Sequence, residues 1–177
     1  DYRYLKLASR RDKFGVSQVR AVRRWGELVS SSKIRTYLHE GKIKNANRLL
    51  GIPFMVMGTV IRGKERGHQI GFPTANLDIK PEKIVPKEGV YYCRAVYKQK
   101  SYKAVINIGY NPTFANAELS VEAYLLDFNS NIYGESLTLY FLRRIRGEVK
   151  FNGVEELKTQ ISKDVQMARS LPLDKNK

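Results

Sequence analysis

Glycines and basic side chains alternate along residues 58–71, a pattern that can hold an anion. Glycine lets backbone N–H groups approach a phosphate closely, and neighbouring cations add positive field. The stretch therefore has the composition of a polyphosphate-binding loop, but it is not a Walker loop, because no Gly-Lys-Ser/Thr opens a helix there. Tight turns between strands explain the same glycines equally well. The glycines, with two of the basic side chains, are Gly58, Gly63, Lys64, Gly67, His68 and Gly71.

Two oxygen-bearing side chains follow in the segment Pro73-Thr-Ala-Asn76. Thr74 and Asn76 stand two residues apart, so in an extended segment both point the same way. Hydroxyl and amide oxygens are hard ligands suited to Mg²⁺, which takes the rest of its shell from water and nucleotide phosphates. The alternative is that both side chains satisfy local backbone groups.

The elements that must position these residues are mainly strands. Segments rich in β-branched or aromatic residues and bounded by Gly, Pro or Asn predict strands at 55–61, 89–97, 102–108, 119–128 and 136–145. Two of the links are short enough for hairpins, which favours antiparallel pairing. We therefore predict a mainly β fold, a small antiparallel Greek-key-like β-barrel.

Helices are expected on both sides of the barrel. Serines 30–32 and Gly41 predict the start and stop of one short helix, and residues 43–50 predict another. After the barrel, Asn152 and Glu155 have the spacing of a capping box. They open a long C-terminal helix that is expected to pack on the barrel through one apolar face, formed by Val154, Leu157, Ile161, Val165 and Ala168. Residues 1–30 give no clear assignment.

The net charge of +15 raises the possibility of a nucleic-acid-binding protein. Residues 1–50 carry a net charge of +9 and residues 51–177 only +6, so the excess is concentrated at the N-terminal side. The predicted strands 102–108 and 119–128 contain a single basic residue, Lys103. A single-stranded nucleic-acid-binding barrel is therefore the distant alternative, and no nucleic-acid partner is expected.

Several other classes are excluded by composition. The 177 residues contain one cysteine, Cys93, and two histidines, so neither a Cys-based metal cage nor a multi-histidine metal site can form. Cys93 lies in a strand pattern and is interpreted as a buried structural thiol. No apolar run is long enough to span a membrane and no signal-like segment opens the chain. We expect a cytoplasmic protein without a membrane partner; composition gives no oligomeric state.

An ordered set of motifs resembles the riboflavin kinase family over roughly residues 55–170. The set comprises the glycine pattern of 58–71 leading into Phe-Pro-Thr-Ala-Asn76, then Asn107-Ile-Gly109-Tyr-Asn-Pro-Thr113, Val121-Glu122, Leu126-Asp-Phe, Tyr133-Gly134, and Arg146 with Phe151. The resemblance implies transfer of the γ-phosphoryl group of ATP to the 5′-hydroxyl of riboflavin, giving FMN and ADP with Mg²⁺, as a step in FMN and FAD biosynthesis.

The resemblance also implies roles for individual residues. Glu122 would be the catalytic base and, with Arg146, would contact the flavin. Thr74 and Asn76 would bind Mg²⁺. The loop over the nucleotide would comprise Gly58, Gly63, Gly67, Gly71 and Pro73 with Thr74 and Asn76, and Lys64 and His68 would lie near phosphate without a defined role.

Plainer interpretations stand beside these roles. Glu122 shares a predicted strand face with Ser120 and Tyr124, and an exposed strand carboxylate is the alternative to a base in a cleft. Arg146 has the alternative of a surface ion pair with Glu148 or a neighbour. Asn107 is interpreted, with Pro112 and Thr113, as loop architecture bordering the site.

The serine-rich segment 29–35, with Gly41 and residues 47–51, resembles the end of the FMN adenylyltransferase module of bacterial bifunctional FAD synthetases. The family's His-x-Gly-His signature is missing from the chain. We therefore divide the chain into 1–52, the end of an adenylyltransferase-like module with linker helices, 53–172, a riboflavin kinase domain, and 173–177, a tail. The alternative is a bifunctional enzyme that also converts FMN to FAD, with this sequence a part of it.

Overall fold

The computed structural model of the chain describes residues 1–63, 67, 70–112 and 117–173. Lys64 and His68 lie outside the described residues. The elements, in chain order, are α1 (Tyr2–Asp12), β1 (Arg23–Arg24), β2 (Glu27–Leu28), α2 (Ser31–His39), α3 (Ile43–Leu50), β3 (Phe54–Ile61), β4 (Ala75–Asp78), β5 (Gly89–Tyr97), β6 (Lys100–Pro112), β7 (Ala117–Leu125), β8 (Ser136–Arg146) and α4 (Val154–Ser170).

Six strands form a closed barrel in the order β3-β4-β7-β6-β5-β8, and every neighbouring pair is antiparallel. The interior is filled by alternate strand residues, among them Tyr91, Ile106, Leu139 and Phe141, each without measurable exposure. Alternation of this kind places one face of each strand in the core. The predicted antiparallel barrel is therefore confirmed. Strand β4 was not predicted, because the sequence Ala-Asn-Leu-Asp has little intrinsic strand preference.

Helices α2 and α3 pack against one end of the barrel. Leu38, Ile43 and Ala46 are at most 1% exposed and belong to the same apolar cluster as the barrel interior. The side-chain amide of Asn47 donates to the carbonyl of Phe141 at 2.8 Å and accepts from the amide of Phe54 at 2.8 Å. The core is thus shared across the predicted boundary at residue 52, and the division of the chain stays a prediction.

Helix α4 packs on the outside of the barrel, as predicted. Val165 and Ala168 form a second apolar cluster with outward-facing strand residues such as Val90 and Val105. The predicted capping box is wrong: Gly153 is the N-cap, and Glu156, not Glu155, accepts from the Asn152 amide at 2.9 Å. Val154 is 58% exposed, because the helix begins there, beyond the edge of the apolar contact.

The first 30 residues contain three elements that the sequence left unassigned, helix α1 and the short strands β1 and β2. Helix α1 has no buried residue, and it is capped by Asp1, whose side chain accepts from the Arg3 amide. Throughout the ranges that the structure describes, no helix combines the length and the apolar character needed to cross a membrane.

Candidate functional site

Three adjacent strands bring polar side chains together on the outer face of the barrel. Glu122 on β7 stands directly opposite Asn76 on β4 and directly opposite Asn107 on β6. Directly opposed residues project from the same face of a sheet. Because Val121 and Ala123 point into the core, Glu122 points outward. A carboxylate therefore lies between two carboxamides. Asn107 and Pro112 belong to strand β6, so their interpretation as loop architecture is wrong, and Thr113 lies outside the described residues.

Thr74, two residues before Asn76, lies beside this row of polar side chains, which consists of Asn76, Glu122 and Asn107. Its hydroxyl donates to the carboxylate of Glu122, with 3.2 Å between Oγ1 and Oε2, although the two residues are 48 positions apart. Thr74, Asn76 and Glu122 are all partly buried. The structure therefore brings the two predicted metal ligands and the predicted base to one place.

Two of the predicted loop glycines approach this row closely. A Cβ added to Gly63 would collide with the side-chain amide of Asn76, and one added to Gly67 would collide with the Phe72 carbonyl and lie 3.1 Å from the Thr74 hydroxyl. The Phe72 amide also donates to the Gly67 carbonyl at 2.8 Å. A side chain at residue 67 would meet fixed backbone, whereas one at residue 63 would displace the Asn76 amide.

The other two predicted loop glycines, Gly58 and Gly71, occupy positions where local structure favours glycine. A Cβ on Gly58 would lie 2.6 Å from the Asp78 carbonyl, which is a packing constraint between β3 and β4. Gly71 has a φ of 85°, the left-handed conformation of a turn, with open space around it. The nucleotide-binding role of Gly58, Gly71 and the adjoining Pro73 stays a prediction.

The donor atoms of the row fit magnesium. A hydroxyl, an amide oxygen and a carboxylate are oxygen ligands of the type that Mg²⁺ uses beside waters and phosphates. Within the described part of the chain, no group of three or more His, Cys, Asp or Glu side chains is placed to hold a metal.

Arg146 lies at the end of β8, where residues 147–153 lead into α4. Its guanidinium contacts the carboxylate of Asp164 on α4. Nε of Arg146 lies 3.0 Å and Nη2 lies 2.9 Å from the same oxygen, Oδ2 of Asp164. The alternative of a surface pair with Glu148 or a sequence neighbour is wrong, because the partner is a helix residue that is only 3% exposed. The Phe151 ring lies 5.7 Å from the guanidinium carbon.

A surface hollow of about 380 Å³ adjoins this loop. Its volume falls in the range of small-molecule sites. The walls come from residues 147–153 and the first turns of α4, and the lining residues are Val149, Phe151, Glu155, Glu156, Thr159, Gln160 and Lys163.

Glu148 is a further carboxylate near the row that the sequence did not single out. A Cβ on Gly109 of β6 would collide with the Glu148 carboxylate and lie 3.6 Å from the side-chain nitrogen of Asn107. Gly109 is paired with Ser120, two residues from Glu122. The two-residue spacing of Asn107 and Gly109 places both on one strand face, but it gives no indication of Glu148, which is 39 residues further along the chain than Gly109.

Comparison with known proteins gives a consistent result. The sequence model of the family described as Flavokinase, riboflavin kinase, matches residues 50–171. A bifunctional riboflavin kinase/FMN adenylyltransferase of Bacillus subtilis (strain 168) is 44% identical over 159 residues, covering 88% of this chain and 50% of that protein. The protein with the same description in Listeria monocytogenes is 43% identical over 145 residues, covering 81% and 46%.

The fold also matches a solved structure. The crystal structure of a protein from Streptococcus pneumoniae, described as a macrolide-efflux protein, has a TM-score of 0.81 and 36% identity over 87% of this chain and 51% of that one. The chain thus spans about half the length of the relatives that it matches.

Proposed function

The chain belongs to the riboflavin kinase family, and on that premise we propose that it transfers the γ-phosphoryl group of ATP to the 5′-hydroxyl of riboflavin, giving FMN and ADP. The observation that carries the proposal is the convergence of Thr74, Asn76 and Glu122 on the outer face of β4 and β7. Phosphoryl transfer needs positioning, charge neutralisation and a base, and these residues offer the chemistry for the last two.

Glu122 is the proposed base. As the 5′-oxygen forms its bond to the γ-phosphorus, the bond from that phosphorus to the bridging oxygen of ADP breaks, and the hydroxyl proton passes to the Glu122 carboxylate. The hydrogen bond from Thr74 and the position between Asn76 and Asn107 support this role, because they fix the carboxylate in one place.

Thr74 and Asn76 are the proposed magnesium ligands. A bound Mg²⁺ would neutralise charge on the nucleotide phosphates. On the protein side, the Thr74 hydroxyl donates a hydrogen bond to Glu122, which leaves the lone pairs of its oxygen for a cation.

The glycine-bearing segment is the proposed nucleotide site. Gly63 and Gly67 approach Asn76 and Thr74 so closely that a phosphate held by backbone amides there would lie beside the proposed metal ligands. Gly58, Gly71, Pro73, Lys64 and His68 complete the proposed set.

Arg146 is the proposed flavin contact. A planar guanidinium can stack on an aromatic ring system or donate to it. The nearby hollow and the Phe151 ring support a flavin at this end of the barrel. Because ATP is a cytoplasmic substrate, we place the reaction in the cytoplasm, with small molecules as its partners.

The longer relatives carry a second activity in their names, FMN adenylyltransferase. We propose that residues 1–52 belong to the end of such a module and residues 53–172 to the kinase. On this proposal the chain as given makes FMN without FAD.

The test is a riboflavin phosphorylation assay with Mg-ATP, in which riboflavin, FMN and FAD are separated by chromatography. FMN alone is the expected product. FAD in addition would contradict the assignment of FMN synthesis alone. A folded chain that makes no FMN but binds an oligonucleotide with steep salt dependence would overturn the kinase proposal in favour of a nucleic-acid-binding barrel.

A further inference from the structure

One charged side chain is fully enclosed in the described part of the chain. Asp164, in the middle of α4, is 3% exposed, the only buried charged or polar residue there. Carboxylates are almost never so buried unless they are paired. Asp164 accepts from Nε of Arg146 at 3.0 and 3.2 Å and from its terminal nitrogen at 2.9 Å, so that the guanidinium is held by two of its nitrogens.

The same guanidinium organises the loop of residues 147–153. Its remaining nitrogen donates to the carbonyl of Gly147 at 3.1 Å, and its carbon lies 5.7 Å from the centre of the Phe151 ring. Arg146 therefore connects the helix on one side with the first and fifth residues of this loop on the other. Its side chain keeps 19% exposure, which leaves part of it open to a ligand.

A third residue fixes the carboxylate itself. The side-chain amide of Gln160, one helical turn before Asp164, donates to Asp164 at 3.0 Å and also lines the hollow beside the loop. The orientation of Arg146 is thus determined by a chain of contacts that runs from the wall of the hollow through Asp164.

We propose that Asp164 is a positioning residue for flavin binding: it fixes the direction of the Arg146 guanidinium and, through it, residues 147–153. The proposal rests on the proposed riboflavin kinase function. A guanidinium paired with a carboxylate through two nitrogens loses its rotational freedom before the ligand arrives, so less order must be gained on binding. Without the carboxylate, Arg146 keeps its charge but not its direction.

The chain offers a matched control on the same helix. Arg169 near the end of α4 forms a bidentate pair with Asp127, at 2.7 and 3.0 Å, and this pair also ties the helix to the barrel. Asp127 is 73% exposed, so the pair is a surface contact of small energetic weight. Asp127→Asn therefore removes a helix-to-barrel ion pair without touching Arg146.

The experiment measures KM for riboflavin, KM for ATP and kcat for the whole chain carrying Asp164→Asn, Asp127→Asn, Arg146→Ala, or Asp164→Asn with Arg146→Ala. Asp164→Asn is expected to raise the riboflavin KM by about tenfold, comparable to losing one charge-assisted hydrogen bond. The ATP KM should stay within about twofold, and Asp127→Asn should change neither. In the Arg146→Ala background, Asp164→Asn should have no further effect, because contacting residues are not additive.

Three results would overturn the proposal. They are an unchanged riboflavin KM in Asp164→Asn, an equal rise in both KM values, and a full effect of Asp164→Asn in the Arg146→Ala background. Should Asp164→Asn fail to fold, Gln160→Met takes its place in the same cycle with a smaller expected rise. A folded wild-type chain that neither phosphorylates riboflavin nor quenches its fluorescence would overturn the proposed function and, with it, this inference. Normal turnover in the wild type, with an unchanged riboflavin KM in the variants, would overturn the inference alone.

Discussion

The hydroxyl of Thr74 donates a hydrogen bond to the carboxylate of Glu122, and 3.2 Å separates the two oxygens. A threonine hydroxyl has one proton to donate and two lone pairs to offer. Because its proton points to Glu122, its lone pairs point elsewhere, which is the arrangement that a metal ligand needs. One hydrogen bond therefore joins the proposed base to the proposed metal ligand.

Replacement of Glu122 by glutamine is expected to remove the base while keeping the shape of the side chain. Turnover should fall by about 10²-fold or more, and nucleotide binding should largely survive. The measurement is FMN formation under saturating substrates, with ADP binding determined separately.

The control for Glu122→Gln is Glu135→Gln. Glu135 is a carboxylate that pairs with Lys98 on the surface at 3.1 Å. Its loss should leave turnover unchanged, since exposed pairs contribute little. Equal turnover in wild type and Glu122→Gln would remove Glu122 from the role of base.

Replacement of Thr74 is expected to act on the magnesium dependence. Thr74→Ala removes the oxygen and should shift half-maximal activity to higher Mg²⁺, whereas Thr74→Ser keeps the oxygen and should stay close to wild type. Asn76→Ala should shift the Mg²⁺ dependence in the same direction. A Mg²⁺ titration of activity checks all three, and wild-type curves for both alanine variants would contradict the metal assignment.

Replacement of Gly109 by alanine is expected to displace Glu148 and leave the barrel intact. The added Cβ would collide with the end of the flexible Glu148 side chain, which can move, and not with backbone. The melting temperature should therefore change little, while the riboflavin KM should rise several-fold as the Glu148 carboxylate leaves its place beside Gly109. Glu148→Gln, which keeps the size of the side chain, separates displacement from loss of charge. A melting temperature that falls without a change in KM would show that Gly109 matters for packing alone.

Shortening the chain is expected to reveal where the cooperative unit begins. A chain of residues 27–177 keeps α2 and α3 and should unfold in urea almost as the whole chain does. A chain of residues 53–177 loses Leu38, Ile43, Ala46 and Leu49 from the core. Burial of one large aliphatic side chain contributes about 1.5–3 kcal/mol. The free energy of unfolding of a typical domain is roughly 5–15 kcal/mol, so the loss of Leu38, Ile43 and Leu49 would remove most of it.

A point variant supports the same experiment. Asn47→Ala leaves the Phe54 amide and the Phe141 carbonyl without their partner, which should lower the free energy of unfolding by about 1–3 kcal/mol. Equal stability of residues 53–177 and 27–177 would show that the helices are an addition to the barrel and not part of its core.

Cys93 is expected to report on global unfolding. It is fully buried, and burial raises the pKa of its thiol well above the ordinary value, which disfavours the reactive thiolate in the native state. A disulfide reagent at pH 8 should label the protein only at the rate at which it unfolds, and rapidly in denaturant. Ser136→Cys, placed at an exposed position in a Cys93→Ala chain, should react at once. Rapid labelling of native Cys93 would contradict the prediction.

The sequence predicted the barrel well where side chains carry the pattern. Strand β5 carries a nearly continuous run of buried residues, and buried residues alternate along the first half of β8. The structure has these strands at Gly89–Tyr97 and Ser136–Arg146, close to the expected ranges. Strand β4 carries no such pattern; pairing with β3 and β7 makes Ala75–Asp78 a strand. Local preference is overruled there by its neighbours.

The site was predictable only in part for a similar reason. Motif order indicated Thr74, Asn76 and Glu122, but their proximity depends on β4 lying beside β7, which a sequence spacing of 48 residues does not reveal. The Arg146 and Asp164 pair depends on how α4 packs, and an aspartate in a helix is usually exposed. Long-range pairings of this kind require the fold.

One seam of the barrel, the line of pairing between β4 and β7, is short. Among the described residues that seam has two residue pairs, Ala75 with Ala123 and Asn76 with Glu122, whereas β5 and β6 share nine. A Mg-nucleotide bound to Asn76 on β4, together with riboflavin in contact with Glu122 on β7, would connect the two strands from outside the barrel. Substrate binding would then stabilise the pairing of β4 with β7. Protection of the amides of these two strands from hydrogen exchange would rise with occupancy of the site.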